Sequence, residues 1–474
     1  MAGDSADGRI IRGEVGRTLD RKLTPFLEST VKACEFPGLA VGVVADGEIA
    51  YARGFGVQSV ETGEPVSMTT VFHMASISKP FVATAIVQLV ERGLVRLEAP
   101  IVEYLPYFRL DDDRFREITV QQMLSHISGM PDVEDYEWDK PQIDEGALER
   151  YVRSLASKKL IDEPGARFAY SNMAFECLGD LIAKLSGMSF DDYEKTHILD
   201  PTGMVESTFL MPAHRPANWA APHVRVLANL AWEGYPYNRQ HGPSSTLHSS
   251  AREMCCWAMI NLNRGSLNGR QILEPSSYDL LWKPRAEIGG GEQVGFSWFL
   301  AQHRGEKTVE HGGGDTGFRT HLVVLPERRA AAVALCNLSP APNHKIPYSM
   351  LDVLLGLEPE PVAPYAGLQV TKTLLDKGLD AAVAQWESLK SDHADEYDLG
   401  HWQFYGLVDA VGMAKAQGVD RLARLCASIL APAELLDLEK AVEPYQNEAA
   451  AAALAVFREH RTSVGEGVEP GRAA

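Results

Sequence analysis

The chain has 474 residues, of which 45% are apolar and 8% aromatic, as expected of a folded soluble protein with two or three domains. Its formal net charge of −19 argues against nucleic acid and anionic membrane surfaces as partners. No apolar run approaches the roughly 18 residues that a membrane-spanning helix needs, and residues 1–7 lack the apolar segment of a signal peptide. The six cysteines show neither a disulfide framework nor metal-ligand spacing, so we expect free thiols and a cytoplasmic location.

The first predicted element is a β-hairpin. Two apolar runs, Leu39–Ala45 and Glu48–Tyr51, flank the dipeptide Asp46-Gly47. Asp-Gly between two such runs is a strong signal for a two-residue turn. We therefore expect two antiparallel strands joined at this point.

The segment around Ser76 is predicted to contain a nucleophile. Val71–Met74 is strand-like, and helical periodicity runs from Lys79 to Glu91. Side chains at positions i and i+3 share a helix face, so we expect the Lys79 amine beside the Ser76 hydroxyl. The positive end of the helix dipole favours a deprotonated nucleophile and a neutral lysine. The same residues also fit an ordinary helix N-terminus with a capping serine and a solvated lysine.

A second candidate site lies at Tyr170-Ser171-Asn172. An extended segment precedes the triplet, and an amphipathic helix is predicted from Met173 to Leu185. The phenol of Tyr170 and the amide of Asn172 are therefore displayed on a loop, where functional groups often lie. The alternative interpretation is that Ser171 or Asn172 only caps the following helix.

A glycine-rich segment, His311-Gly312-Gly313-Gly314-Asp315, follows the predicted strand Lys307–Glu310. Glycines at the end of a strand allow another backbone or a ligand to come close. They also leave backbone N–H groups accessible to a developing oxyanion. The alternative interpretation is a tight hairpin turn, for which two glycines would suffice.

The remaining pattern predicts an antiparallel sheet, a long helical region and a helical tail. Residues 79–260 are predicted to be mostly helical. Further strands are predicted at Val294–Ala301, Thr320–Leu325 and Ala331–Cys336, and their short connections indicate antiparallel pairing. Residues 358–365 contain several prolines and are predicted to be a linker. The predicted helices beyond it are Leu374–Leu389, Trp402–Ala416, Arg421–Leu430 and Ala449–His460.

The tail contains one weak internal echo. Gly378–Val383 is similar to Gly418–Ala423, which begins 40 residues later. A repeat at this spacing hints at helical hairpins similar to tetratricopeptide units. A small appended helical bundle is an equally good interpretation.

Three motifs in this chain order resemble those of the serine β-lactamase and penicillin-binding-protein superfamily. The nearest branch comprises class C β-lactamases, D-alanyl-D-alanine peptidases, family VIII carboxylesterases and D-stereospecific aminopeptidases. The motifs are S-x-x-K, Y-x-N and H-x-G, represented by Ser76 and Lys79, Tyr170 and Asn172, and His311 and Gly313. Their flanks at residues 72–75, 124–131 and 317–318 are also similar, and the resemblance covers about residues 20–357.

The resemblance implies an α+β fold. In that fold an antiparallel sheet is flanked by helices, an all-helical subdomain lies beside it, and the active site occupies the cleft between them. Here a C-terminal helical appendage follows. We therefore expect a hydrolase-like domain at residues 1–357, a linker at 358–365 and a C-terminal helical domain at 366–474.

The resemblance also implies roles for the motif residues. Ser76 would be the nucleophile, activated by Lys79 or by Tyr170, and the sequence leaves open which of them is the resting base. Asn172 would hold Lys79 and a substrate amide or carbonyl. The backbone N–H groups of Ser76 and Gly314 would form the oxyanion hole. No metal ion and no organic cofactor are expected.

His311 stands where many relatives have lysine, a permanent cation for a substrate carboxylate. Histidine is mostly neutral near pH 7, and Asp315 places an acid nearby. This combination favours neutral or amine-bearing esters and amides over β-lactams. The candidate pocket walls are loop aromatics, which could equally pack on the surface: Tyr136, Trp138, Trp232, Tyr235 and Tyr237.

We therefore predict a serine esterase or amidase that acts on a small ester, amide or peptide through an acyl-enzyme on Ser76. The alternatives within the enzyme class are a D-amino-acid peptidase, an acyltransferase and a weak β-lactamase. An alternative of another class is a non-catalytic scaffold or ligand sensor. The C-terminal helices are candidates for a protein contact or for oligomerisation.

Overall fold

The structure, a computed structural model, describes residues 8–464 except 228, 232–233 and 414–416, and of residues 229–231 and 463–464 it describes the backbone alone. The strands of the described residues are β1 (Ile10–Ile11), β2 (Gly38–Ala45), β3 (Glu48–Gly56), β4 (Val71–His73), β5 (His223–Arg225), β6 (Asn229–Ala231), β7 (His248–Ser250), β8 (Ser266–Leu267), β9 (Arg270–Gln271), β10 (Ala286–Gly289), β11 (Glu292–Val294), β12 (Phe299–His303), β13 (Glu306–Asp315), β14 (Phe318–Leu325) and β15 (Ala330–Cys336).

The α-helices of the same residues are α1 (Gly13–Cys34), α2 (Ser78–Glu91), α3 (Val120–Leu124), α4 (Ala147–Ser154), α5 (Asn172–Ser186), α6 (Phe190–Glu194), α7 (Gly242–Ser245), α8 (Ala251–Leu262), α9 (Ser277–Leu281), α10 (Lys345–Leu354), α11 (Ala366–Lys377), α12 (Leu379–Asp392), α13 (Gly406–Gly412), α14 (Val419–Ile429), α15 (Pro432–Val442) and α16 (Glu448–Val464). A 3₁₀ turn at Ala75–Ile77 precedes α2. Within these residues, no helix is both long and apolar enough to cross a membrane.

A nine-stranded antiparallel sheet organises the molecule, in the order β1-β3-β2-β15-β14-β13-β12-β11-β10. The predicted β2–β3 hairpin is confirmed. Asp46 and Gly47 have φ values of 50° and 83°, which is the left-handed pair that a type I′ turn requires. The predicted strand Val294–Ala301 is wrong, because residues 295–298 reverse the chain between β11 and β12.

The central strands are buried on both faces. On β2, Val41 and Val43 belong to the core with α1 and α10, whereas Ala40 and Val44 belong to the core with α2 and α8. A strand covered on both sides has no solvent-facing positions. This explains why Leu39–Val44 is a continuous apolar run rather than an alternating pattern.

The second layer is a mainly helical region between β4 and β7, which pair with each other and not with the large sheet; the two-stranded β5–β6 sheet also lies in this part of the chain. It contains α2 to α7, and its apolar side chains join the core on the α8 side of the sheet. The predicted fold class is therefore confirmed: an antiparallel sheet flanked by helices, an all-helical subdomain and C-terminal helices.

The C-terminal helices enclose a hydrophobic core of their own, which also takes Val224 and Val226 from the chain around β5. The predicted helix Leu374–Leu389 is two helices, because Gly378 (φ 88°, ψ −179°) separates α11 from α12. The predicted helix ending at Ala416 is observed as a 3₁₀ turn and α13, and residues 414–416 lie outside the described residues. Helix α15 was not predicted from the sequence.

Candidate active site

Ser76 lies in the 3₁₀ turn that joins β4 to α2, where the sequence predicted a helix to begin. The preceding residue, Ala75, is fully buried and has a φ of 51°, a left-handed conformation that costs a non-glycine residue about 1–2 kcal/mol. The Ser78 hydroxyl supports this turn, because it donates to the Ala75 carbonyl at 2.7 Å and accepts the Leu247 N–H at 2.9 Å. Ser76 itself is partly exposed and accessible to a substrate.

The Lys79 amine donates to Ser76 Oγ at 2.9 Å and to the carbonyl oxygen of Ser244 at 2.8 Å. The side chain is fully buried, and burial lowers the pKa of Lys79 to about 8. The negative charges of Asp132, Glu176 and Asp315 act in the opposite direction. An amine with this pKa is partly neutral near pH 7 and can accept a proton from the serine.

The Tyr170 ring lies against the same amine, with its centroid 5.0 Å from Lys79 Nζ. It also stacks on His126 at a centroid distance of 4.2 Å. Burial raises the pKa of Tyr170, although a hydrogen bond with the Ser76 side chain acts in the opposite direction. The phenol is therefore neutral at rest and within reach of the serine hydroxyl.

Asn172 lies beside this group but is held by another residue. Its backbone N–H and side-chain amide both donate to Asp132 Oδ1, at 2.7 and 2.8 Å. Its side-chain oxygen is buried and has no hydrogen-bond partner in the part of the chain that is described. The expected hydrogen bond from Lys79 to Asn172 is not formed, and the lysine amine donates to Ser76 and Ser244 instead. The alternative cap is present as well, since Ser171 caps α5 by accepting the Ala174 N–H.

The glycine-rich segment is part of β13, which continues to Asp315 rather than ending before His311. A β-carbon at Gly313 would overlap the Met74 carbonyl oxygen and the Thr320 hydroxyl. The Thr320 hydroxyl donates to that same carbonyl at 2.8 Å and so ties β14 to the turn before Ser76. Glycine is required here because two backbones approach closely. Gly314 follows on β13, opposite Arg319.

His311 is 1% exposed and packs against Phe299. Burial, followed by the charge of Lys79, lowers the pKa of His311 to about 3. The ring is therefore neutral across the physiological range. Its Nδ1 lies 2.6 Å from the Gly312 carbonyl oxygen and must donate to it, which leaves Nε2 as an acceptor without a partner among the described residues.

Four polar residues around the motifs, His73, Asp132, Ser244 and Ser245, were not predicted as site residues. Asp315 Oδ2 accepts hydrogen bonds from His73, at 2.8 Å, and from the Ser245 hydroxyl. Asp132 holds Asn172, and Ser244 supplies its carbonyl to Lys79. His73 lies three residues before Ser76, and Asp132 directly follows the family-like segment 124–131, so their positions were a signal, whereas nothing local marks Ser244 or Ser245.

The candidate wall aromatics fall into two groups. Tyr136 and Trp138 stack on each other at 4.7 Å and lie against His241. Tyr235 packs against His73, with ring centroids 6.1 Å apart, and Tyr237 lies on the same side against His248. Trp232 lies outside the described residues.

Comparison with known proteins agrees with this geometry. Residues 19–355 match the protein family described as Beta-lactamase, a span that contains all three motifs and more than half of the chain. The chain belongs to the beta-lactamase family. Proteins of this family are generally serine hydrolases. The superfamily predicted from the motifs is confirmed.

Curated relatives match the same part of the chain. Protein flp of Staphylococcus aureus (strain MW2) is 24% identical over 323 residues, which cover 67% of this chain and 63% of flp. The chain therefore spans less than two thirds of the length of that relative. Penicillin-binding protein 4 of Amycolatopsis lactamdurans is 27% identical over 316 residues, which cover 64% of this chain and 81% of the relative.

Solved structures show the same fold. The octameric penicillin-binding protein homologue from Pyrococcus abyssi has a TM-score of 0.65 and 25% identity, and the match covers 77% of this chain and 82% of the homologue. The class C beta lactamase from Rhodobacter sphaeroides has a TM-score of 0.58 and 21% identity. The match covers 70% of this chain and 98% of that lactamase. The second likeness concerns the fold alone.

Proposed function

We propose that this protein is a serine hydrolase that cleaves an ester or amide through a covalent acyl-enzyme on Ser76. The observation that carries the proposal is the hydrogen bond from the buried Lys79 amine to Ser76 Oγ at 2.9 Å. A serine hydroxyl is a weak nucleophile until a neighbouring base accepts its proton. Burial lowers the pKa of Lys79 from 10.5 to about 8, which corresponds to about 3 kcal/mol in favour of the neutral amine.

In the proposed reaction, neutral Lys79 accepts the Ser76 proton while Oγ attacks the substrate carbonyl carbon. The backbone N–H groups of Ser76 and Gly314 stabilise the oxyanion that forms. Tyr170, in contact with both Ser76 and Lys79, passes the proton to the leaving alcohol or amine. Water then attacks the acyl-enzyme carbonyl and releases Ser76 with the acid product.

The charges around the site favour neutral or amine-bearing substrates. His311 is neutral because its pKa is lowered to about 3, so it offers no cation to a substrate carboxylate. Asp132, Glu176 and Asp315 are acids close enough to influence Lys79. A carboxylate-bearing β-lactam would be repelled by these acids. The same charges are compatible with the alternative of D-amino-acid peptidase activity, because such substrates carry a free amine.

Replacement of Ser76 by alanine tests the proposal. Ser76→Ala removes one hydroxyl and should abolish both turnover of nitrophenyl esters and labelling by a fluorophosphonate probe, with the fold unchanged by circular dichroism. Ser78→Ala is a poor control because Ser78 supports the turn, so Ser29→Ala on exposed α1 is the matched variant. Residual activity above a few per cent in a clean preparation would exclude Ser76 as the nucleophile. A wild-type protein that is never labelled would support the scaffold or sensor alternative.

We also propose the domain division made from the sequence, at 1–357, 358–365 and 366–474. The separate core of the C-terminal helices supports it. Contact or oligomerisation through these helices stays a prediction, supported by the 61% exposure of Trp402 and by the octameric homologue. The cytoplasmic location and the absence of a cofactor also stay predictions.

A further inference from the structure

A fully buried carboxylate lies behind the Ser76–Lys79 pair and has no role in the reaction proposed above. Glu176 is on α5, four residues after Asn172, and its side chain is 0% exposed. Its Oε1 accepts the Ser244 hydroxyl at 2.5 Å and lies 3.1 Å from His241 Nδ1. Ser244 is the residue whose carbonyl oxygen receives Lys79, so one residue connects the carboxylate to the lysine.

The direction of the hydrogen bonds at Glu176 follows from a chain that begins at the protein surface. The Arg150 guanidinium can only donate, and it donates to Gln142 Oε1 at 3.0 Å. The Gln142 amide then donates to Gln240 Oε1 at 2.9 Å. The Gln240 amide is thereby oriented with its nitrogen 3.1 Å from His241 Nε2.

This orientation fixes the tautomer of His241. Because Nε2 accepts from Gln240, the proton of the neutral ring is on Nδ1, which donates to Glu176. Glu176 Oε1 therefore receives two donors, His241 Nδ1–H and the Ser244 hydroxyl. Burial raises the pKa of Glu176, but these two hydrogen bonds and the charge of Lys79 oppose it. Both donors favour the ionised form of the carboxylate, and we take Glu176 as anionic.

We propose that Glu176 is a positioning residue for Lys79: it fixes the Ser244 carbonyl that receives the lysine amine, and its negative charge stabilises the ammonium form of Lys79. This inference rests on the proposed function of Ser76 and Lys79. Without Glu176, the buried lysine would be a weaker base and would lose a proton at lower pH. Glu176 thus keeps the basicity of Lys79 near the working pH, where general-base catalysis is most effective.

Other titratable groups face the same pair and stay unchanged in the test. Around Lys79 these are Asp132, Asp315, His126, His311 and Tyr170. Around Glu176 they are His241, Tyr136, Tyr151 and Cys177. Burial raises the pKa of the tyrosines and the cysteine and lowers that of His126 and His311, so their charges do not change through the range in which Lys79 titrates.

The experiment measures the rate of Ser76 labelling by a fluorophosphonate as a function of pH, through the Lys79 pKa of about 8. Labelling requires no knowledge of the natural substrate. In Glu176→Gln the midpoint of the pH profile should fall by about one unit, the lower end of the range for a neighbouring opposite charge. Glu176→Asp keeps the charge but shortens the reach to Ser244, so its midpoint should stay with the wild type while its plateau rate falls several-fold.

Glu194→Gln is the matched control, because Glu194 is also fully buried in the helical region and is not among the charges that influence Lys79. Its profile should coincide with that of the wild type. A folded Glu176→Gln protein with the wild-type midpoint would overturn the inference while leaving the proposed function intact. If wild-type Ser76 is not labelled at any pH, the proposed function fails and the inference fails with it.

In wild type, Glu176 Oε2 has no hydrogen-bond partner among the described residues. Glu176→Gln would place an amide N–H group there without an acceptor, and this lowers the stability of the variant. If circular dichroism shows that it does not fold, Ser244→Ala decides the question. This change removes the hydroxyl and keeps the carbonyl. Its plateau labelling rate should fall about tenfold, which is less than the roughly 10²–10⁴-fold loss typical when a general base is removed outright. A rate within twofold of the wild type would overturn the inference.

Discussion

Lys79 and Tyr170 are the two groups that can accept the Ser76 proton, and burial changes them in different directions. It lowers the pKa of Lys79 to about 8 and raises that of Tyr170. Both changes favour the uncharged form, which for lysine is the base and for tyrosine is the acid. This difference favours Lys79 as the resting base and Tyr170 as the group that delivers the proton to the leaving group.

Tyr170→Phe tests that division of roles. The change keeps the ring that lies against Lys79 and stacks on His126, so substrate binding should be nearly unchanged. The acylation rate should fall by about 10²–10⁴-fold, as is typical when a general acid–base group is removed. The measurement is kcat and KM for a nitrophenyl ester. A loss below tenfold would assign proton transfer to Lys79 alone.

His311→Lys tests the argument about substrate charge. If the position faces the acyl pocket, a lysine would present a cation where a neutral ring now lies, beside Lys79 and Phe299. Carboxylate-bearing substrates should gain about 1–3 kcal/mol over their methyl esters if a charge-assisted hydrogen bond forms. The ratio of kcat/KM for the two substrates, in wild type and variant, measures the effect. An unchanged ratio in a folded, active variant would mean that this position does not read substrate charge.

The strand β13 is the element that completes the site. It brings His311, Gly313 and Gly314 to the turn that holds Ser76, and the Thr320–Met74 hydrogen bond fixes the distance between them. His73 and Asp315 make a second connection, between β4 and the end of β13. The candidate active site is therefore assembled where an edge of the helical region meets the sheet.

Gly313→Ala tests this close approach. A methyl group would overlap the Met74 carbonyl and the Thr320 hydroxyl, so β13 must move away from the Ser76 turn. We expect the labelling rate of Ser76 to fall at least tenfold and the melting temperature to fall by several degrees, since overpacking costs about 1–3 kcal/mol. Gly290→Ala, at an open position in the turn after β10, is the steric control; its positive φ of 61° adds strain without a clash. If Ser76 in Gly313→Ala is labelled at the wild-type rate, the close approach of β13 to the Ser76 turn is not needed for catalysis.

At the scale of the whole molecule, the C-terminal helices are joined to the hydrolase-like region by apolar and polar contacts. Their core includes Val224 and Val226, and a side chain at Gly406 would overlap the Arg225 carbonyl. The Ser339 hydroxyl donates to Asp409 Oδ2 at 2.5 Å. Burial raises the pKa of Asp409, and hydrogen bonding to Ser339 and to Thr316, which lies in the β13–β14 turn, opposes this rise. The tail thus contacts the hairpin that carries the glycine-rich segment.

Deletion of residues 366–474 tests how far the regions depend on each other. The catalytic residues precede the deletion, so Ser76 should still be labelled in the folded fraction. The loss of cover over Val224 and Val226 should reduce stability by several kcal/mol, at about 1.5–3 kcal/mol for each buried side chain. Thermal melting and light scattering measure stability and assembly. Substitution of both valines by threonine in the truncated chain should restore solubility. If the truncated protein is soluble and folded but Ser76 is not labelled, the tail completes the active site.

Local features of the fold and the site could be read from the sequence. The Ser76–Lys79 pair depends on a spacing of three residues across the 3₁₀ turn and the start of α2, and the β2–β3 turn depends on two residues, Asp46 and Gly47. The order of the three motifs also indicated the family, because each motif is contiguous in the chain. Errors occurred where a single residue changed the local geometry, as at Gly378, which separates α11 from α12.

The tertiary structure alone decided the environment of these candidate site residues. Ser244 lies 165 residues from Lys79, and His241 lies 65 residues from Glu176, so their hydrogen bonds exist only after the helical region has packed. The lowered pKa of Lys79 comes mainly from burial, which is a property of the assembled core and not of its neighbours in sequence. The sequence by itself determined which side chains carry the chemistry, because local spacing sets helix faces and turns. Packing over long range determined their protonation and partners, because solvent exclusion and contact depend on the whole fold.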